Sequence, residues 1–252
     1  MLEGFELYKK RLTAFIDILG FSQLVQEIDI QESNGEERFN SILTLLKELK
    51  SREKPENANE AIEITAFSDS IVISVANSKK ALFTVLWNVA WLQSSLMKSG
   101  YLCRGGISFG ELHHKDGIVF GKGLIEAYKI ESSLAVYPRI VVSDEIQEKC
   151  NGSLKDVFLV ESDDGLSHVD PFSVGDFIGT SDDAADGNDL TEWFYMSLEK
   201  TCETEIERLK ELKQINPLMK WQWACSQIKQ SKADYLTDKK CKMDRFLHSR
   251  EQ

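Results

Sequence analysis

The sequence predicts an α+β fold in which helices pack on one face of a mostly antiparallel, ferredoxin-like sheet, followed by a C-terminal helical extension. Three observations predict it. Short β-prone runs alternate with stretches of three- and four-residue apolar spacing. Two strand pairs, over residues 62–76 and 111–120, are joined too tightly for crossover connections, so they are hairpins rather than βαβ units. Beyond residue 190 only helical periodicity remains.

Residues 11–18 (Leu12-Thr13-Ala14-Phe15-Ile16-Asp17-Ile18) read as a short buried strand ending at the Gly20 turn. Leu24, Val25 and Ile28 then share a helical face, and a second helix over 36–52 carries Phe39, Ile42, Leu43, Leu46 and Leu49. A polar loop begins at Lys54-Pro55. Residues 62–68 and 70–76 are strands joined at Ser68-Asp69. Ser78 is placed to cap a helix with Leu82, Val85, Leu86, Val89, Leu92 and Leu96 inward and Gly100 as its stop. A glycine-interrupted strand at 101–109, a hairpin turning at Lys115-Asp116-Gly117, a helix at 122–133 and a strand at 139–143 follow. After a strand at 156–161, residues 162–189 hold eight aspartates and few large apolar residues, which reads as an acidic surface loop. Asp189 and Glu192 have capping-box spacing for a helix from 190 to 213, and a tryptophan-rich helix spans 217–231. Residues from Asp238 onward read as a frayed end. The predicted division is a catalytic domain over 1–161, the loop over 162–189, and a helical extension over 190–252.

The chain of 252 residues carries 30 Lys and Arg against 41 Asp and Glu, a net charge of −11. That balance excludes non-specific nucleic-acid binding, which needs a basic stripe. No apolar run approaches the roughly 18–20 residues of a membrane span, and the N-terminus has no signal-peptide pattern. Five scattered cysteines, none in a CxxC pair, predict a reducing, cytoplasmic setting without a zinc site. His113 and His114 alternate across a strand and so do not chelate one ion.

Two carboxylates stand out. Asp17 ends an apolar strand, and Asp69 sits between two β-prone runs. A carboxylate among Phe, Ile and Val costs several kcal/mol unless something cationic compensates, and two of them at strand ends make a divalent metal the natural candidate. Singly, Asp17 also reads as a helix N-cap and Asp69 as an ordinary turn residue. Arg104, beside two glycines, reads equally as a phosphate contact or as a structural ion pair. Glu126 and Glu131 read as surface charges or ion-pair partners.

Four blocks in order resemble the catalytic domain of class III nucleotidyl cyclases, and most closely its bacterial pyrimidine-cyclase branch, the Pycsar anti-phage cyclases. Phe15, Asp17, Ile18, Gly20 and Phe21 match F-x-D-I-x-G-F. Ser68-Asp69 matches the turn between two strands. Arg104, Gly106, Ile107 and Gly110 match R-x-G-I-x-x-G, and Gly121 to Ser132 fits the length of the fourth block.

The resemblance implies a palm-like cyclase core that converts CTP or UTP to the 3′,5′-cyclic monophosphate and pyrophosphate, as a second-messenger synthase in antiviral defence. It implies two Mn²⁺ or Mg²⁺ ions held by Asp17, Asp69 and the Ile18 carbonyl. Phe15 and the turn Leu19-Gly20-Phe21 would meet the triphosphate, and Thr65 would stand where adenylate cyclases place a base-reading lysine. Arg104 would contact phosphate, and Lys129 would occupy the place of a transition-state arginine. It implies a homodimer with sites at the subunit interface. Ile125 replaces the family's transition-state asparagine, while Thr65 and Ile118 replace its base-reading lysine and aspartate, two losses that argue against adenine. A purine cyclase and a non-catalytic nucleotide sensor are the competing readings; the GG[DE]EF signature of diguanylate cyclases is absent.

Overall fold

Apolar residues at alternate positions of the first strand explain the layers built around it. The computed structural model describes residues 8–29, 35–54, 61–178 and 190–235. In chain order these form β1 (Lys9–Leu19), α1 (Phe21–Asp29), α2 (Gly35–Lys50), β2 (Ile62–Phe67), β3 (Ser70–Ala76), α3 (Ala81–Lys98), β4 (Leu102–Lys115), β5 (Ile118–Gly121), α4 (Lys122–Leu134), β6 (Ile140–Val142), α5 (Asp144–Lys149), α6 (Gly152–Phe158), β7 (Leu159–Glu161), β8 (Ser167–Val169), α7 (Ser173–Ile178), α8 (Leu190–Glu211) and α9 (Ile215–Asp234). The strands make one sheet in the order β2-β3-β1-β4-β6-β8-β7, with β5 paired to β4. Only β4 and β6 run parallel. The fold is therefore α+β with a mostly antiparallel sheet, as the sequence predicts.

Leu12, Ala14, Ile16 and Ile18 of β1 enter the main core with Leu45 and Leu49 of α2 and Val85, Leu86 and Val89 of α3. Phe15 points the other way, into a small cluster with Val72 and Ala127. Helices thus lie on both faces of the sheet, with α4 against β1 and β4 on the second, which corrects the one-face expectation. Glycines make this possible. A Cβ on Gly106 would strike the Ala127 carbonyl and Ile130, and one on Gly110 would lie 3.0 Å from Gly123 N. The α4 backbone therefore rests directly on β4.

Helix α3 ends as predicted. Gly100 has φ +82°, its N–H bonds to the Met97 carbonyl, and the Tyr101 N–H reaches back to Leu96, a Schellman arrangement. It does not begin as predicted: its N-cap is Lys80, and no side chain caps it. The apolar stripe, not a cap, sets its start. Beyond α3, the strand predicted at 101–109 and the first arm of the next hairpin form one continuous β4. The stretch 156–161 opens in α6 and becomes β7 only at Leu159.

The acidic segment is not a loop throughout. Residues 166–178 supply β8 and α7, with Asp170 1% exposed. Two of its aspartates have defined partners. Asp170 accepts from the Phe172 N–H at 3.0 Å, and Asp164 pairs with the buried Arg139. Acidic composition concealed a strand only three residues long. Residues 179–189, including Asp189, lie outside the described residues, as do most of the polar loop after Lys54 and the predicted frayed end.

Helices α8 and α9 pair as a hairpin and bury Leu198, Leu209, Trp221 and Ile228 with Met97 of α3 and Leu102 of β4. That packing brings α9 to the end of β1, beside Leu19. Among the described residues four cysteines are free and buried, and burial pushes the Cys202 thiol up to about 12.

Candidate active site

Asp17 leaves β1 on the α4 side of the sheet, one turn before Gly20 ends the strand with φ +79°. Its cross-strand neighbours are Ser70 on β3 and Arg104 on β4. The β2–β3 turn is latched to it: the Ile18 N–H donates to the Asp69 carbonyl at 2.8 Å, with Ser68 left-handed at φ 54°. Asp17 and Asp69, 52 positions apart in sequence (69 − 17), therefore meet at one strand end. Burial raises the Asp17 pKa above the usual carboxylate range; Arg104 opposes this and the Asp69 charge adds to it.

Arg104 Nε lies 3.4 Å from Asp17 Oδ2 and 2.8 Å from Glu131 Oε1. Glu131 comes from α4, and its side chain is 4% exposed, so it is an ion-pair partner and not a surface charge. Burial raises its pKa, against the pull of Arg104. The fifth member is Lys220 of α9. Burial lowers its pKa, Arg104 lowers it further, and Asp17 raises it. Lys220 also lines a cavity of about 160 Å³ with Gly20, Gln23, Arg38, Arg208 and Asn216.

The remaining sequence-predicted residues divide. Leu19 and Gly20 line that cavity, and Phe21 opens α1, whose Gln23 and Leu24 N–H groups bond back to the Gly20 carbonyl. Phe15 is 8% exposed and meets Tyr128 edge-on, so it packs against α4. Thr65 lies on the same sheet face as Asp17, opposite Val72, which in turn faces Phe15. Lys129 is 64% exposed and 3.8 Å from Glu126; it is not among the charges that act on Asp17. Ile118 and Ile125 are likewise exposed. His114 is buried and His113 stacks on Phe120, as strand alternation requires.

Glu131 and Lys220 were missed by sequence reasoning. Glu131 had a faint signal, a carboxylate beside Ala127 and Ile130 on the inward stripe of α4. Lys220 had none, because only the α8–α9 packing carries it to β1.

A divalent cation fits this donor set. Among the described residues no three His, Cys, Asp or Glu side chains form a cage. Mg²⁺ does not need one: it is held by one or two carboxylates and completed by substrate phosphates and water. Asp17 and Asp69 supply two carboxylates whose mutual repulsion a cation would relieve. The Ile18 carbonyl leaves β1 on the same edge as its N–H, toward Asp69.

No protein-family model matches the chain, and no curated protein sequence matches it. Solved structures do. A class III adenylyl cyclase-like ATP-binding protein from Pseudomonas aeruginosa is 11% identical at TM-score 0.44, over 68% of this chain and 40% of that one. A bacterial light-regulated adenylyl cyclase is 13% identical at TM-score 0.44, over 76% and 58%. An adenylate/guanylate cyclase/hydrolase from Silicibacter pomeroyi is 16% identical at TM-score 0.36, over 64% and 95%. The chain thus spans about two fifths of the first structure and under three fifths of the second.

Proposed function

We propose that the chain is a metal-dependent nucleotidyl cyclase acting on CTP or UTP. The observation that carries this reading is the meeting of Asp17 and Asp69 at one strand end, beside a cationic cavity at the Gly20 turn. The ribose 3′-oxygen attacks the α-phosphorus, the bond to the β-phosphate oxygen breaks, pyrophosphate leaves, and the hydroxyl proton passes to solvent. Two Mg²⁺ or Mn²⁺ ions, when bound, lower the hydroxyl pKa and offset the developing phosphate charge. Asp17, Asp69 and the Ile18 carbonyl would hold them. The Leu19–Phe21 turn and Lys220 would take the triphosphate, and Arg104, steadied by Glu131, would keep Asp17 ionised and aimed.

A catalytic unit over 1–161, with the 190–252 extension lending Lys220, fits this scheme. A second copy would close the site. Ile125 and Tyr128, both exposed on α4, support a homodimer whose interface brings Lys129 to the partner's nucleotide. The pyrimidine preference and an antiviral second-messenger role rest on the sequence resemblance, and a cytoplasmic place rests on the scattered cysteines, none in a CxxC pair. Among the described residues no helix is long and apolar enough to cross a membrane. Incubation with each of the four nucleoside triphosphates and Mn²⁺ tests the reading. Cyclic CMP or cyclic UMP is expected; cyclic AMP or cyclic GMP alone would replace the pyrimidine assignment, and nucleotide binding without turnover would make the chain a sensor.

A further inference from the structure

A second cavity, of about 70 Å³, lies between α3, α9 and the β6–β8 end of the sheet. It shares no lining residue with the cavity at Gly20. Three side chains in its wall each hold a buried polar atom without a partner among the described residues: Gln93 Oε1, Arg139 Nε and His168 Nε2. These side chains are 3%, 2% and 4% exposed. Their protons can be placed. The Gln93 amide nitrogen donates to the Pro138 carbonyl at 3.1 Å, so Oε1 is the acceptor left over. His168 Nδ1 lies 3.1 Å from the Val169 carbonyl, which only accepts, so Nδ1 carries the proton. Burial pushes the His168 pKa down, which keeps the ring neutral and Nε2 a bare acceptor. Arg139 directs both terminal nitrogens to Asp164, and its Nε–H remains a donor. Two acceptors and one donor thus face a cavity whose remaining walls include the buried apolar side chains of Met97, Phe172 and Ala224.

We infer that this cavity is a second small-molecule site, built for a primary carboxamide. The two N–H groups of the amide meet Gln93 Oε1 and His168 Nε2, and its carbonyl accepts from Arg139 Nε. The size agrees: an apolar cavity of about 150 Å³ admits benzene, so about 70 Å³ suits a group of about four non-hydrogen atoms. A carboxylate would set its oxygens against two acceptors, and an ammonium would set a donor against Arg139; either leaves buried groups unpaired. Asp170, 1% exposed in the same wall, further opposes an anion. The exposed lining residues are Gln230 and Asp234, joined at 3.0 Å, and the rest of the molecule leaves past them. Helix α9 walls both cavities, Trp223 and Ala224 on this one and Lys220 on the other. An occupant therefore steadies the helix that carries Lys220.

Titration of the full chain with acetamide, acetate and N,N-dimethylacetamide tests this without needing turnover. The readouts are the side-chain N–H signal of Arg139 Nε and the ¹⁵N shift of His168 Nε2. Acetamide should move both along a saturable, millimolar curve, the range open to so few atoms, and should raise the melting temperature. Acetate and N,N-dimethylacetamide, which have no N–H to offer, should leave both signals in place. Gln93→Leu, which removes one acceptor, should weaken acetamide about tenfold. Ala224→Val, which narrows the cavity and touches no polar group, should weaken it as well. A wild type that shows no saturable shift has a cavity filled by water only, and that result overturns the site. Equal shifts with acetate or N,N-dimethylacetamide, or full acetamide affinity in both variants, overturn it too.

Discussion

Asp17 and Arg104 face one another directly across the β1–β4 ladder, with Nε 3.4 Å from Oδ2. The guanidinium does not belong to Asp17 alone, because Glu131 approaches it more closely from α4. One cation thus serves two half-hidden carboxylates and ties the helix to the strand that carries the site. Of the two readings open for Arg104 in the sequence, the structure shows the ion pair, and that pair borders the candidate site.

Arg104→Gln should destabilise the fold, because Glu131 would remain buried without its cation. With Arg104 about a third exposed, the expected loss is about 1–3 kcal/mol. A lowered denaturant midpoint with unchanged slope would register it. The Arg104→Gln/Glu131→Gln double variant should recover much of the loss, since it removes the stranded charge as well.

Asp17→Asn should remove activity and yet raise the melting temperature at pH 7.5. The folded protein holds the Asp17 pKa above its unfolded value. Protonated Asp17 therefore favours the fold at low pH, and that contribution is lost as pH rises through the folded pKa. The gain in the variant should fade as pH falls toward 4. For a chain of this size each kcal/mol appears as about 2–4 °C.

His114 has the opposite sign. Its folded pKa of about 4 lies below the ordinary 6.5. The contribution is fully present above pH 6.5 and is lost as pH falls toward 4, by up to about 3 kcal/mol at 1.36 kcal/mol per unit. His168, also lowered by burial, adds to the same acid lability. Urea titrations of wild type and His114→Asn across pH 7 to 4 should show a flatter profile in the variant.

Lys220→Ala should raise KM for the nucleoside triphosphate about tenfold, with a smaller change in kcat, if the lysine holds phosphate in ground and transition states alike. Lys220 is half-buried and its charge is disfavoured there, so its loss should leave the melting temperature unchanged or slightly raised. Steady-state kinetics beside a thermal melt distinguishes this from loss of the α8–α9 packing.

Much of this arrangement was legible along the chain. The run from Phe15 to Phe21 and the Ser68-Asp69 turn stand out because a carboxylate between β-branched residues is costly. The α3 stripe and Gly100 declare that helix and its end. What escaped depends on long-range packing. No local pattern shows that Gly106, Gly110 and Gly123 let α4 lie on β4, and hence that Glu131 reaches Arg104. Nor does any pattern carry Lys220 from the second extension helix to the end of β1. Strand β8 is too short for alternation to rise above the aspartates around it. Phe15 sits inside the motif that frames Asp17 and shares its face of the sheet, but there it packs edge-on against Tyr128 of α4.

The central claim is that Asp17 and Asp69 together hold the cations that drive cyclisation. The most direct measurement compares wild type with Asp69→Ala under Mn²⁺ and CTP or UTP, following cyclic product and the thermal melt together. The account predicts cyclic pyrimidine nucleotide from wild type and none from the variant, with the melt unchanged or raised. Full product formation by Asp69→Ala would contradict it.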